Sequence, residues 1–305
     1  MPKEIKEILP RAFTDNVLSL CGERGSEWLN RLPQTIGELE RKWSVTVGKP
    51  FLNLSFNYVA NALFPDGKSA VLKIGLPLKD VEIFGEVRYL QLLDGRGAVK
   101  VLAFDRELQA VLLERVVPGA NLKSVCKNDQ GRAVEIAVKA LKKILLPVPA
   151  ELEDLVVLDR WFDGLKRAEG TTFPQDYARS ALKYYAELSL DKANTYLLHG
   201  DLHHENILSA KREPFLLIDP KGIIGHIGYD IAVFLNNHHD WLDLDTRLEG
   251  KLDKAIADFS GAFELEEMVI RKWAYCQMVL SWWWMFDEMP DLFGEELGLS
   301  DVWKV

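Results

Sequence analysis

The chain has only three cysteines, Cys21, Cys126 and Cys276, and they lie far apart without a C-x-x-C pair. This arrangement does not suit a disulfide framework, and it predicts free, buried thiols in a reducing compartment. Long apolar runs are also missing. The nearest, Gln277–Phe286, falls short of the ~18 residues of a membrane helix, and the charged start of the chain lacks a signal-peptide core. We therefore expect a cytoplasmic protein with no membrane partner.

Positive charge is scarce as well. The formal net charge is -9, which disfavours nucleic acid as a partner because phosphate backbones require clustered lysine and arginine. A chain of this charge attracts cationic small molecules instead. With 305 residues, 48% of them hydrophobic and 27% charged, the composition predicts a folded protein with a real core, in one large or two modest domains.

The most informative stretch that is present is His199-Gly-Asp-Leu-His-His-Glu-Asn206, followed by Ile218-Asp219-Pro220. Phosphoryl transfer requires a carboxylate that accepts the proton of the acceptor and oxygen ligands that hold Mg²⁺ across the phosphates of ATP. The order and spacing match the catalytic loop and metal-binding Asp of protein kinases. Asp201 is therefore the candidate catalytic base, and Asn206 and Asp219 are the candidate metal ligands, of a phosphotransferase.

Three short apolar runs around this stretch predict strands, at Tyr196–His199, Ile207–Ser209 and Phe215–Ile218. The third strand would deliver Asp219 to the loop. Two plainer interpretations remain open. Asp and Asn are common turn formers, and the histidines His199, His203 and His204 could bind zinc. The zinc interpretation would leave the acids and the Asn of the motif without a role.

The pattern of apolar and turn-forming residues changes along the chain. About residues 1–43 have apolar positions at helical spacing, and residues 45–115 carry strand-like runs around one helical segment, Lys79–Leu93, with a turn signal at Pro65-Asp-Gly67. After Pro118-Gly119 the pattern is mainly helical, with helices predicted at 132–146, 152–166, 174–190, 229–237, 248–263 and 265–288. The sequence therefore predicts an α+β, two-lobed protein-kinase-like fold. Residues 1–117 would form a small antiparallel β lobe with one helix and a helical prefix, which binds the nucleotide, and residues 118–305 a larger, mainly helical lobe for catalysis and substrate.

Lys73 lies within the apolar run Ala70–Ile74, where an unpaired ammonium group is costly. It corresponds to the strand lysine that kinases place on the α- and β-phosphates. Glu86 on the following helix is its predicted partner, and Glu82, one turn earlier, is the alternative. The competing interpretation is an edge strand whose lysine points to solvent.

The glycine-rich loop G-x-G-x-x-G, which covers the phosphates in protein kinases, is absent. The equivalent hairpin is Leu54–Val59, in which Ser55 and Asn57 are candidate phosphate contacts, although both residue types also favour turns. The segment Leu113–Val116 is predicted to read the adenine edge through its backbone, with Glu114 and Val116 as the contact positions.

Together these residues resemble the aminoglycoside phosphotransferase superfamily over about residues 45–290. Its aminoglycoside/hydroxyurea resistance kinase branch, which includes streptomycin 6-phosphotransferases, is most similar in His199–Leu208, Ile218–Gly225 with Gly228–Asp230, and Leu93–Val99. The resemblance implies the roles given above for the base, the Mg²⁺ ligands and the lysine–glutamate pair. It also implies that Asp230 braces the loop, that His199 holds it by hydrogen bonds, and that no peptide-docking segment follows Asp219.

The resemblance implies a hydroxyl acceptor on a small, amine-bearing molecule, in the first place an aminoglycoside such as streptomycin. Acids and tryptophans that could hold a cation are frequent in the last third of the chain: Asp240, Trp241, Asp243, Asp245, Trp282, Trp283, Trp284, Asp287, Glu288, Asp291, Glu295 and Glu296. They could equally be helix core and solvated surface. A kinase for an amino sugar or another small metabolite, and a nucleotide-binding pseudokinase module, remain alternatives. The sequence leaves the oligomeric state open.

Overall fold

The computed structural model describes residues 9–52, 54, 56–78, 82–127, 129–237, 249–288 and 303. The chain divides into two compact units, Met1–Val116 and Val117–Val305. Several residues singled out in the sequence lie outside the described residues: Ser55, Asp240, Trp241, Asp243, Asp245, Asp291, Glu295 and Glu296. The start of the predicted helix at residues 79–81 lies outside them too.

The first unit contains a five-stranded sheet with the order β1-β2-β3-β5-β4. Its strands are β1 Thr46–Pro50, β2 Tyr58–Leu63, β3 Ser69–Ile74, β4 Val101–Asp105 and β5 Ala110–Glu114. All neighbouring strands pair antiparallel, as predicted. One helix, α2 (Glu82–Leu93), lies between β3 and β4 in the chain.

The helical prefix is confirmed as α1, Arg11–Trp43. Its path bends at Gly22, where the backbone leaves helical angles (φ 54°, ψ -130°). Buried side chains on both sides of the bend, including Phe13, Val17 and Leu32, share one hydrophobic cluster with Tyr58 of β2 and other residues of the sheet. The prefix is therefore part of the core of the first unit. Its last turn is also tied to the sheet, because the Lys42 ammonium group contacts the buried carboxylate of Asp105 at 2.5 Å.

The second unit begins with a strand where the sequence predicts a boundary turn. This strand is β6 Pro118–Asn121, and it pairs with β9 Ile207–Ala210, which in turn pairs with β10 Phe215–Leu217. A second small sheet contains β7 Val156–Val157, β11 Ile223–His226 and β8 Thr195–Leu198. The strands on either side of the His199–Asn206 loop are thus present as predicted, whereas β6, β7 and β11 were not anticipated.

The helices of the second unit are α3 Leu122–Val125, α4 Gln130–Ile144, α5 Leu158–Leu165, α6 Gln175–Leu188, α7 Gly228–Asn236, α8 Glu249–Phe263 and α9 Glu267–Glu288. The predicted helix at 152–166 is too long, because Val156 and Val157 pair with β11 and the helix begins only at Leu158. Aromatic side chains such as Trp273 and Trp283 of α9 fill the core. Within the described part of the chain, no helix has the length and apolar character needed to cross a membrane.

Candidate active site

A buried carboxylate braces the loop that carries the motif. Asp230, in the first turn of α7, accepts the backbone N–H of His199 with Oδ2 (2.9 Å) and that of Gly200 with Oδ1 (2.7 Å). Burial raises the pKa of Asp230 to about 7, and the two N–H groups oppose that shift because they stabilise the charged form. Gly200 has a φ of +81°, and a Cβ there would lie 3.0 Å from Ile223. The loop conformation therefore requires glycine at this position.

His199 uses both ring nitrogens inside the loop. Its Nδ1 accepts the N–H of Asp201 (3.2 Å), so Nε2 carries the hydrogen and donates to the carbonyl of Ile218 (2.9 Å). Burial lowers the pKa of the imidazole to about 3, which keeps the ring neutral. His199 thus joins the loop to the segment before Asp219, as the resemblance implies, and it is not oriented to bind zinc.

Asn206 lies at the end of the loop, directly before β9, with 6% of its surface exposed. Its amide nitrogen donates to the carbonyl of Asp201 (2.9 Å) and lies 3.5 Å from Asp201 Oδ2. This orientation directs the amide oxygen of Asn206, the atom able to bind a cation, away from Asp201. The Asp201 side chain is about one third exposed, with a relative exposure of 32%.

Asp219 is held against this loop on both sides. The N–H of Ile218 donates to Asn206 O (3.1 Å), and the N–H of Lys221 donates to His199 O (2.6 Å). Asp219 itself has a φ of +59°, a left-handed conformation that Asp and Asn tolerate better than most residues. The structure therefore brings Asp201, Asn206 and Asp219 to one loop framework in the second unit.

One carboxylate and one amide oxygen suit Mg²⁺, which usually takes one or two protein ligands and completes its shell with phosphate oxygens. Among the described residues, no group of three or more His, Cys, Asp or Glu side chains is arranged to hold a metal ion. Asn206 and Asp219 supply one amide and one carboxylate oxygen, which are ligand types that suit Mg²⁺.

The two remaining histidines of the motif differ from each other. His204 is buried and stacks on Phe234 of α7 (centroids 4.1 Å apart), so it packs against that helix. The His203 side chain is partly exposed and has polar neighbours. Its Nδ1 accepts the N–H of Glu205 (3.3 Å), and its Nε2 lies 3.9 Å from Asp201 Oδ1.

The lysine–glutamate ion pair predicted from the sequence is present in the first unit. Lys73 Nζ lies 2.6 Å from Glu86 Oε2, and both side chains are buried (8% and 3% exposed). Lys73 is on β3, which pairs with β2 and β5, so the edge-strand interpretation is wrong. A desolvated pair on a central strand and the adjacent helix holds the ammonium group in one orientation.

The other candidate nucleotide contacts also lie in the first unit. Asn57 is half-buried in the loop before β2. Glu114 ends β5, where its N–H donates to Lys100 O (2.9 Å) and its carboxylate accepts the N–H of Lys100 (3.1 Å). Val116 follows and is buried. Glu114 therefore joins the end of β5 to Lys100 through both its backbone and its side chain.

The tryptophan run expected to contact the acceptor is mostly core. Trp282 and Trp283 are buried (4% and 2% exposed), whereas Trp284 is half-buried and meets Trp161 edge-on at 5.2 Å. Asp287 forms an ion pair with Arg167 (2.9 Å). Of the described part of this run, Trp284 alone presents a partly accessible ring.

Two polar residues near the motif, Tyr229 and Gln277, were not predicted from the sequence. Tyr229 precedes Asp230, and burial of the side chain, followed by the charge of Asp201, raises the pKa of its hydroxyl. Gln277 of α9 makes a side-chain hydrogen bond to the Tyr229 hydroxyl. The two residues are far apart in the sequence, and no motif spacing connects them.

The fold of the chain is that of the kinase-like small-molecule phosphotransferases. The choline kinase LicA from Streptococcus pneumoniae superimposes with a TM-score of 0.61 at 16% identity, covering 90% of this chain and 97% of LicA. LicA in complex with AMP gives a TM-score of 0.60 at 13% identity, with 89% and 95% covered. These likenesses confirm the predicted fold class.

The family follows from the sequence itself. Residues 43–288 match the aminoglycoside/hydroxyurea antibiotic resistance kinase family. A hydroxyurea phosphotransferase from Kitasatospora aureofaciens is 30% identical over 75% of this chain and 68% of its own length. A streptomycin 6-kinase from Streptomyces glaucescens is 29% identical over 76% of each chain. The chain belongs to this kinase family, which confirms the predicted resemblance and identifies it as a small-molecule phosphotransferase.

Proposed function

We propose that this enzyme transfers the γ-phosphoryl group of ATP, with Mg²⁺, to a hydroxyl of a small, amine-bearing molecule, and that an aminoglycoside such as streptomycin is the first candidate acceptor. The observation that carries the proposal is the set of hydrogen bonds on both sides of Asp219, which holds the backbone of Asp219 beside the loop of Asp201 and Asn206. Family membership supports the same reaction class.

In this proposal Asp201 accepts the proton of the acceptor hydroxyl, and its partial exposure leaves it accessible to a substrate. Asn206 and Asp219 would hold Mg²⁺, which would neutralise negative charge on the phosphates of the nucleotide when bound. The neutral His199 and the buried Asp230 keep the loop in shape and exchange no proton with the substrate.

The nucleotide is assigned to residues 1–117 and catalysis to residues 118–305. Lys73, held by Glu86, reaches the α- and β-phosphates. Ser55 and Asn57 contact phosphates, and the backbone at Glu114 and Val116 reads the adenine edge. The AMP complex of LicA, which shares the fold, supports a nucleotide as the phosphoryl donor.

For the acceptor, the half-buried rings of Trp161 and Trp284 are the candidate contacts in the second unit. Trp161 lies 5.7 Å from Tyr229, the residue next to Asp230. An exposed tryptophan face attracts a cationic group or packs against a sugar ring. An amino sugar or another small metabolite remains the second candidate, because the relatives named above act on molecules as different as hydroxyurea and streptomycin.

The test is release of ADP from Mg²⁺-ATP in the presence of streptomycin, other aminoglycosides, glucosamine and hydroxyurea, with the product mass measured in each case. We expect phosphorylation of an amine-bearing acceptor. Asp201→Ala should lower the turnover by several orders of magnitude. Glu205→Gln is the matched control, since Glu205 is an exposed acid on the same loop and should retain activity.

The glycine-free loop favours the alternative of a pseudokinase. A thermal-shift measurement with Mg²⁺-ATP, combined with the turnover assay, distinguishes a pseudokinase from an active kinase. Stabilisation by Mg²⁺-ATP without turnover on any alcohol would support the binding module. Full activity of Asp201→Ala would contradict the assigned base.

A further inference from the structure

His203 lies two residues after Asp201, and the motif loop fixes its backbone. Its N–H donates to the carbonyl of Asp201 (3.0 Å), and its own carbonyl accepts the N–H of Asn206 (3.0 Å). The ring is held as well, because Nδ1 accepts the N–H of Glu205 (3.3 Å) at the start of the short 3₁₀ turn His204–Asn206. The position of the imidazole is therefore set by the loop itself.

These contacts determine which ring nitrogen of His203 carries the hydrogen. Nδ1 accepts a hydrogen bond from Glu205, so the hydrogen of the ring lies on Nε2. Nε2 in turn lies 3.9 Å from Oδ1 of Asp201. His203 thus directs an N–H group towards the carboxylate of the candidate base, and it needs no charge of its own to do so.

The Asp201 carboxylate has an N–H donor near each of its two oxygens. Asn206 Nδ2 lies 3.5 Å from Oδ2, and His203 Nε2 lies 3.9 Å from Oδ1. Both distances exceed the usual range of about 2.7–3.2 Å for N–H···O hydrogen bonds. Hydrogen bonds of catalytic groups are often long in a free enzyme and shorten when the substrate is bound. The side chains of His203 and Asp201 are partly exposed (23% and 32%), which leaves room for this adjustment.

A second histidine of the same unit has the same arrangement away from the motif. His226 Nδ1 accepts the N–H of Gly228, two residues further on (2.9 Å), and Nε2 lies 3.3 Å from Asp191 Oδ2. This histidine is 3% exposed and stacks on Trp273 (centroids 5.2 Å apart), so it is part of the core. The arrangement therefore occurs once in the core and once, at His203, on the loop of the candidate base.

We propose that His203 is a positioning residue for Asp201: its Nε2–H group holds the Asp201 carboxylate in the orientation that accepts the proton of the acceptor hydroxyl. This inference rests on the proposed function, in which Asp201 is the base. Orientation matters because a base must face the proton that it removes at hydrogen-bond distance. A carboxylate has about four acceptor sites, so Asp201 can accept from His203 and still face the hydroxyl.

Two substitutions of His203 separate positioning of Asp201 from capping of the turn, because each keeps one end of the imidazole. In His203→Gln the amide nitrogen takes the position of Nε2 and retains the donor towards Asp201. In His203→Asn the shorter side chain retains an acceptor for the N–H of Glu205, as Asn does in turns, but does not reach Asp201. The assay is turnover of Mg²⁺-ATP with whichever of streptomycin, other aminoglycosides, glucosamine and hydroxyurea is phosphorylated fastest.

We expect His203→Asn to lower kcat about tenfold, the range for a hydrogen bond to a charged group, and to leave the KM for ATP unchanged. His203→Gln should restore a kcat close to that of the wild type. In an Asp201→Asn background, His203→Asn should cause no further loss of the residual single-turnover rate, because the group that it positions is gone.

His226→Asn is the matched control, since it shortens the other histidine of this arrangement. It should lower the Tm, because His226 is buried on Trp273, and it should keep the wild-type kcat. His203→Asn should show the opposite result, a lower kcat with an unchanged Tm.

Wild-type kcat in His203→Asn would overturn the inference. Equal losses in His203→Asn and His203→Gln would overturn it too, because they would assign the ring to the turn alone, and so would a further loss in the Asp201→Asn background. These outcomes leave the proposed function intact. Wild-type turnover of Asp201→Asn, or no turnover with any of the acceptors, would instead refute the proposed function and the inference with it.

Discussion

At the scale of single residues, the backbone of Asp219 adopts a conformation that few residue types tolerate. Its φ of +59° is a region in which β-branched residues are strained, whereas Asp and Asn are tolerated. Ile218, directly before Asp219, and Lys221, two residues after it, are both hydrogen-bonded to the motif loop, so contacts outside Asp219 impose its conformation.

Asp219→Asn should therefore fold like the wild type and lose phosphotransferase activity, because an amide keeps the left-handed conformation but not the negative charge for Mg²⁺. Asp219→Val should be inactive and also less stable, by about 1–3 kcal/mol from backbone strain. Urea denaturation with parallel turnover assays measures both effects. Wild-type turnover of Asp219→Asn at saturating Mg²⁺ would contradict the metal assignment.

His199 provides a pH prediction. The folded pKa of about 3 lies below the ordinary value of 6.5, so the unfolded state binds the proton first. The stability contributed by neutral His199 is present above about pH 6.5 and is lost as the pH falls towards 3. Asp230 acts in the opposite direction, because its raised pKa of about 7 favours the folded state below that pH.

Because His199 and Asp230 have opposite effects on how the free energy of unfolding depends on pH, the protonation of His199 should be measured at its imidazole ring. The ¹⁵N shifts of the His199 imidazole should remain those of the neutral Nε2–H form from pH 7.5 to pH 5. Protonation of this ring with a midpoint above about pH 6 would show that burial and the two hydrogen bonds of His199 do not determine its protonation state.

At the scale of elements, β3 and α2 are coupled by a buried ion pair. Lys73 and Glu86 lie on different elements. If one of the two is removed, the other charge stays buried without its partner, which costs free energy. Lys73→Met should destabilise the protein by about 3–5 kcal/mol, because Glu86 remains buried.

The double variant Lys73→Met, Glu86→Leu should recover much of that loss while ATP binding stays weak. Urea unfolding and nucleotide titration of the two variants check this. Recovery of ATP affinity in the double variant would mean that Lys73 does not bind phosphate.

The bend in α1 supplies a second prediction at this scale. A Cβ at Gly25 would lie 2.5 Å from the carbonyl oxygen of Val17, whereas a Cβ at Gly37 would meet Arg41 at an ordinary 3.7 Å. Gly25→Ala should cost about 1–3 kcal/mol through overpacking. Gly37→Ala, the control in the same helix, should stabilise by about 0.5–1 kcal/mol. Thermal unfolding of both variants tests this prediction. Equal effects of the two substitutions would mean that the close contact between Gly25 and the carbonyl oxygen of Val17 does not require glycine.

At the scale of the whole molecule, the net charge of -9 bears on substrate capture. Raising the ionic strength from about 0.01 to about 0.15 M shortens the Debye length from ~30 to ~8 Å. The kcat/KM for a cationic aminoglycoside should therefore fall several-fold over this range. The kcat/KM for ATP, an anion, serves as the internal control and should not fall. A parallel decrease for both substrates would point to a general effect of salt.

Local patterns were sufficient where chemistry and secondary structure depend on neighbours in the chain. The spacing within His199–Asn206, the apolar runs that became β8, β9 and β10, and the helical periodicity of α1 could all be read directly. The pairing of Lys73 with Glu86 was also predictable, because a buried ammonium group needs a partner and the next helix offers one. Their roles in catalysis stay predictions.

Other features depended on contacts between segments that are distant in the sequence. Val156 and Val157 form a strand only because β11 is beside them, and Trp282 and Trp283 are buried while Trp284 is not, which depends on what packs around α9. The bond between Gln277 and Tyr229 has no sequence signal at all. Hydrophobic periodicity reports which face of an element is buried, but the partner of a polar group is selected by folding in three dimensions.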